Sequence, residues 1–178
     1  MSENDNGIRR AIFFDLDGTI IDSFPGISRS VNHVFQTLKL SIPEEAELRE
    51  FIGPPLRTSF GRYLTSDEEI ENAVGIYREF YGREGVLDVT LYEGVIELLL
   101  ELSETDDLFL CTSKPAVYAT QIIFHLNMQT LFRQAYAPEL SGRFDCKDDL
   151  LAFALHEEKV APENAFMIGD RASDIQAG

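Results

Sequence analysis

The first patterned stretch of the chain is Ala11-Ile12-Phe13-Phe14, four consecutive apolar residues that stop abruptly at Asp15-Leu16-Asp17-Gly18-Thr19. A short apolar run without alternation predicts a strand buried on both faces, as in a parallel sheet, with polar groups at its C-terminal end. Leu108 to Cys111 before Thr112-Ser113-Lys114, and Ala165 to Ile168 before Gly169-Asp170-Arg171, repeat that layout. Phe132 to Ala137 predicts a fourth strand. Between these runs, apolar positions recur at helical spacing: Val95, Leu98, Leu99 and Leu102, then Leu150, Leu151, Ala154 and Leu155. Tyr118, Ile122 and Leu126 do the same behind Pro115, which a first helical turn tolerates. Strands alternating with helices predict βαβ units around a parallel sheet.

Residues 22 to 88 break that rhythm. Ile27, Val31, Val34, Phe35 and Leu38 form one helical stripe, and Ser66-Asp67-Glu68-Glu69 has capping-box spacing ahead of Ile70, Ala73, Val74 and Tyr77. Pro43, Gly53-Pro54-Pro55 and the stretch Gly82 to Gly85 punctuate what read as four helices. The expected architecture is therefore an α/β core, residues 8–21 and 89–178, interrupted by an all-helical cap at 22–88.

Composition narrows the function classes. With 178 residues, 44% hydrophobic and 26% charged, the chain is globular. Its net charge of −16 argues against binding a nucleic-acid polymer, which clustered Lys and Arg would hold. No apolar run is long enough to span a bilayer, so no membrane role is expected. Cys111 and Cys146 are far apart, and the start MSENDNGIRR lacks a signal-peptide layout and reads as a short disordered leader. Both features suggest a reduced, cytoplasmic protein. The acidic runs Glu44 to Glu50 and Asp67 to Glu71 read as solvated helix faces. His33, His125 and His156 read as packing or surface residues, and Cys111 as an inert buried thiol.

Candidate chemistry lies at the strand ends, where open parallel sheets bind ligands. Asp15, Asp17 and Asp170 would repel one another there without a cation, which points to a hard metal with oxygen ligands, Mg²⁺ above others. A carboxylate beside such a metal can attack a phosphoryl group, and a second carboxylate can exchange protons with the leaving oxygen and with water. Gly18 permits a tight turn that brings backbone N–H groups to phosphate oxygens.

These residues resemble the motifs of the haloacid dehalogenase-like (HAD) superfamily. Phe14-Asp15-Leu16-Asp17-Gly18-Thr19 resembles its first motif, Thr112 after an apolar strand the second, Lys147 the third, and Gly169-Asp170-Arg171 with Asp174 the fourth. The position of the helical insert, Ile52 to Leu56, Tyr77 to Tyr81 and Tyr92 to Val95 resemble the phosphoglycolate phosphatase-like branch. The resemblance implies a Rossmann-like core, Mg²⁺, and a phosphatase acting through an aspartyl-phosphate. Asp15 would be nucleophile and metal ligand; Asp17 would be general acid and base, with its carbonyl on the metal. Thr112 would hold the phosphoryl group and Lys147 would neutralise it. Asp170 would bind the metal, with Asp174 in support. Gly18, Thr19, Ser113, Lys114 and the cap residue Arg57 complete the expected phosphate- and substrate-binding set, and Lys114 is the alternative to Lys147 as the catalytic cation.

Bland readings stand beside these roles. Thr112 and Ser113 could be helix N-caps, Asp174 a carboxylate paired with a helix dipole, and Arg57 a surface arginine. The expected partner is a small-molecule phosphate ester: phosphoglycolate, a sugar phosphate or a nucleotide monophosphate. Oligomeric state, monomer or dimer, stays open. A β-phosphoglucomutase-like mutase or a pyrophosphatase would share these core motifs. Against the motif order the chain stops about one βα unit short. That gives the expectation of a core without its C-terminal edge, and the rival reading of an inactive fragment serving as a binding module.

Overall fold

The computed structural model describes residues 9–141, 143, 144 and 146–178. The expected leader falls almost wholly on residues 1–8, outside the described residues. Four parallel strands form the sheet: β1 (Ala11–Phe14), β4 (Asp107–Cys111), β5 (Gln134–Tyr136) and β6 (Ala165–Ile168), in the order β5-β4-β1-β6. The chain runs outward from β1 through β4 to β5, then returns to place β6 on the other side of β1. That reversal makes the C-terminal end of β1 a topological switch point, where the crossovers diverge and leave a crevice. Asp15 is the first residue beyond β1, and its N–H extends the ladder by donating to the Ile168 carbonyl at 2.8 Å.

The two faces of β1 bury against different helices. Ile12 and Phe14 join an apolar cluster with Leu99 of α5 (Val95–Thr105) and Ile122 of α6 (Ala116–His125). Ala11 and Phe13 join Phe109, Cys111 and Tyr136 with Leu150, Leu151 and Ala154 of α7 (Lys147–Glu158). Phe13 stacks on Phe109 across the ladder, ring centroids 4.9 Å apart. This two-sided burial is why β1 and β4 read as unbroken apolar runs, whereas β6, an edge strand expected to be buried on both faces, leaves Phe166 and Ile168 exposed. A short helix, α8 (Ala172–Ala177), follows β6.

Between the two arms of a small antiparallel ribbon, β2 (Ile21–Asp22) and β3 (Thr90–Leu91), lie four helices: α1 (Phe24–Thr37), α2 (Glu45–Arg49), α3 (Leu56–Phe60) and α4 (Asp67–Phe80). The α4 start has the capping box its sequence predicts: Ser66 Oγ accepts from Glu69 N, and Ser66 N donates to the Glu69 carboxylate. Two expectations need correction. The stretch Gly82 to Gly85 does not break the helix; α4 continues into a π-helical turn, Tyr81–Gly85, packed on α1. A side chain at Gly85 would stand 2.6 Å from Ser30 Oγ and 2.8 Å from the Gly26 carbonyl, so glycine there serves close approach. Pro115 is also placed differently, since it is the N-cap of α6 and precedes the first turn. His33 stacks on Phe80 at 4.2 Å, and Cys111 is buried, as their packing readings expect.

Candidate active site

Three of the strand ends meet as the sequence predicts. From β1 come Asp15 and Asp17, from β4 Thr112 to Lys114, and from β6 Asp170 and Arg171. All but Asp170 line one cavity of about 560 Å³ between the sheet edge and the helical layer, together with Lys147. Asp15 is 6% exposed and Lys147 5%, so this is charge held away from water.

The two lysines divide the two aspartates of the first motif between them. Lys147 opens α7, and its Nζ lies 3.0 Å from Asp15 Oδ1 while also donating to Asp174 Oδ1. Lys114 donates to both carboxylate oxygens of Asp17, at 3.0 and 2.7 Å. The alternative of Lys114 as the cation on Asp15 is therefore not the arrangement found. Burial lowers the proton affinity of Lys114, but Asp17 and Tyr81 outweigh it and raise its pKa above the ordinary lysine value. Burial pushes the Asp15 carboxyl above its usual range, against the opposing pull of Lys147.

Thr112 is not a helix N-cap. Its Oγ1 accepts from the Lys114 N–H at 3.2 Å, closing the turn after β4, and Ser113 follows on the cavity wall. Asp174 does two things at once: Oδ2 accepts from the Arg171 N–H at 2.8 Å at the head of α8, while Oδ1 faces Lys147. Thr19 lies just beyond the turn, its Oγ1 buried without a hydrogen-bond partner. Gly18 has φ +84°, and a Cβ there would stand 2.5 Å from Asp170 Oδ2, so only glycine lets that carboxylate come so close. Arg57 lines the cavity from α3 with its guanidinium held by Glu71, one of the two bonds at 2.9 Å. Its head group is thus engaged within the helical layer.

Asp15, Asp170 and Asp174 offer carboxylate oxygens that all lie within 4.8 Å of one another. Asp15 Oδ1 is within ion-pair distance of Lys147, yet it is buried and accepts no aligned hydrogen bond. An anionic oxygen in that state, facing two further carboxylates, fits a divalent hard cation as the missing partner.

Sequence reasoning missed the cavity's aromatic wall. Tyr77 and Tyr81 stack in parallel at 5.3 Å, and Tyr118 meets Tyr81 edge-on at 5.0 Å. The only prior signal was the run Tyr77 to Tyr81 as part of a family likeness, because stacking between α4, its π turn and α6 is a tertiary event.

A switch-point crevice carrying clustered carboxylates and two buried lysines defines a phosphoester-processing α/β enzyme. The pattern of the haloacid dehalogenase-like hydrolases matches residues 12–178. A 5'-nucleotidase of Pseudomonas aeruginosa is 38% identical over 92% of this chain and 75% of its own. The tyrosine-protein kinase PtkA of Mycobacterium tuberculosis is 32% identical, and there the alignment spans 92% of this chain but only 56% of the kinase. The solved structure of the haloacid dehalogenase-like hydrolase SP0104 from Streptococcus pneumoniae superposes with a TM-score of 0.89 at 36% identity, covering 95% of this chain and 79% of that one. The chain belongs to the haloacid dehalogenase-like hydrolase family, in its phosphoglycolate phosphatase-like branch, and is a phosphatase of that class. Among the described residues no helix is long and apolar enough to cross a membrane.

Proposed function

We propose that the protein is a Mg²⁺-dependent phosphomonoesterase that acts on a small phosphorylated metabolite in the cytoplasm, through a phosphoryl group carried on Asp15. The observation that carries this is the Asp15 carboxylate: buried, one oxygen without an aligned donor, flanked by Lys147 and by two more carboxylates. Asp15, Asp170 and Asp174, with the Asp17 carbonyl, would hold the metal, which would supply charge compensation for the transferring phosphoryl group.

In the first step an Asp15 oxygen attacks phosphorus, the bond from phosphorus to the ester oxygen breaks, and Asp17 gives that oxygen a proton. In the second, Asp17 takes a proton from water, whose oxygen attacks phosphorus and breaks the bond to Asp15. Lys147 and Lys114 offset the negative charge, and the Thr112 hydroxyl and the turn at Gly18 donate hydrogen bonds to phosphoryl oxygens. The ion pair with Lys114 fixes the orientation of the Asp17 carboxylate. Residues 22–88 would act as the cap over this core of residues 8–21 and 89–178, with Arg57 on the substrate side, and its closure would exclude bulk water.

Asp15→Asn is expected to reduce Mg²⁺-dependent phosphate release from p-nitrophenyl phosphate to below about a thousandth of the wild-type rate. A variant that kept the full rate would remove Asp15 as the nucleophile.

A further inference from the structure

The cavity is large relative to the smallest esters that such an enzyme could take. About 560 Å³ lies within the range of sites that enclose drug-sized ligands, and a two-carbon leaving group would fill little of it. Tyr77, Tyr81 and Tyr118 line it, with Phe51, Val74 and Pro55. Flat, weakly polar surfaces of this kind stabilise rings by offset or edge-on contact.

The charges of the lining argue the same way. Lys114 is held by Asp17, Lys147 by Asp15 and Asp174, Arg171 lies 3.3 Å from Asp170, and Arg57 is held by Glu71. Arg78 alone among the described cavity cations makes no ion pair; it reaches the carbonyl of another lining residue, Leu140, at 3.5 Å. A leaving group with its own carboxylate, such as glycolate, would find a cation outside any ion pair only in Arg78, and would otherwise have to break an existing pair, which for Lys114 and Lys147 is a buried one, a cost that an uncharged group avoids. Tyr81 is 2% exposed, and its hydroxyl oxygen lies near enough to Lys114 to feel its charge but makes no hydrogen bond of normal geometry.

We propose that the cavity selects phosphomonoesters whose leaving group carries a large, flat, uncharged ring, aryl or nucleoside, with Tyr81 and Tyr118 as specificity-determining residues. The proposal rests on the reading of the Asp15 end as the phosphoryl site. The phosphate lies over Asp15, the ester oxygen faces Asp17, and the ring rests against the tyrosine wall, where a ring oxygen or nitrogen meets the Tyr81 hydroxyl.

The test compares esters of primary alcohols, so that leaving-group basicity does not decide the outcome: benzyl phosphate and nucleoside 5'-monophosphates against ethyl phosphate, glycerol 3-phosphate and phosphoglycolate, all with Mg²⁺. The ring esters are expected to exceed the others in kcat/KM by about tenfold or more. Benzyl phosphate against the nucleotides separates the aryl from the nucleoside source. In Tyr118→Leu the ratio of ring ester to ethyl phosphate should fall about fivefold, while Tyr118→Phe keeps it. Equal kcat/KM across the series, or a preference for phosphoglycolate, overturns the proposal, as does a Tyr118→Leu effect shared equally by ring and non-ring esters. Calorimetric binding of benzyl and ethyl phosphate to the Asp15→Asn protein reads the pocket without turnover. Benzyl phosphate binding about tenfold tighter sustains the proposal even if the wild type releases no phosphate, which would instead sink the phosphatase reading. Equal binding overturns it.

Discussion

Lys114 and Lys147 are both buried lysines at the sheet edge, and what distinguishes them is the carboxylate each one faces. Buried charge of this kind is tolerable only when paired, so Lys114 fixes the orientation of Asp17, and Lys147 that of Asp15 and Asp174. The same principle acts at the opposite end of the sheet, away from the chemistry. Asp106 is buried and accepts from Arg10 Nε at 2.6 Å and Nη2 at 2.9 Å, and from Thr105 Oγ1 at 2.7 Å. The Arg10 hydrogen bond, with help from Thr105, holds the Asp106 carboxyl below the usual carboxylate range. A depressed acid contributes stability above its unfolded pKa of about 3.9 and loses it as pH falls through the folded value. Asp106→Asn should therefore lower the urea midpoint at pH 7, and its deficit against wild type should shrink below about pH 4. A deficit that is constant from pH 7 to pH 3 would show that the ion pair contributes nothing.

At the scale of elements, the strands and the long helices follow from the sequence because their signals are local. Apolar runs ending in Asp or Thr mark β1, β4 and β6, and a capping box marks the start of α4. The β2–β3 ribbon is two residues per arm, too short for any periodicity to register, and it exists only because residues 22 and 90 meet across the helical layer. The π turn is illegible for a related reason. Gly82 and Gly85 look like helix breakers, yet Gly85 is where α1 comes too close for a side chain. The site divides likewise: Asp15, Asp17, Thr112, Lys147 and Asp170 stand in the motifs, whereas the partner of each lysine and the tyrosine wall depend on packing. Because the Ser66 cap is both legible and formed, it gives an element-scale prediction. Ser66→Ala leaves the Glu69 N–H without its acceptor at the head of the helix that carries Tyr77, and should cost about 1 kcal/mol in urea unfolding. No measurable loss would mean that the first turn of α4 frays in the native protein.

Across the whole molecule, one apolar cluster joins the sheet to the helical layer. Ile12, Phe14 and Leu16 belong to it, and so do Val31, Phe35, Phe60 and Tyr77. The helical layer need not be a separate unit of stability, and this continuity predicts that it is not. Cys111 reports on the question, since it lies in β4 within the other cluster, where burial pushes its thiol up to about 12. It becomes reactive only when the sheet opens. Phe35, in α1, is 1% exposed and packs edge-on against Phe51 and Tyr63, so Phe35→Ala should cost about 3 kcal/mol or more. If sheet and helices unfold together, that loss raises the equilibrium labelling of Cys111 by about a hundredfold. Cys146 is exposed and should label promptly in both proteins, which calibrates the reagent. Labelling of Cys111 at the wild-type rate in Phe35→Ala, with the helical signal already lost, would show that the helical layer melts alone and that the shared cluster does not couple the two.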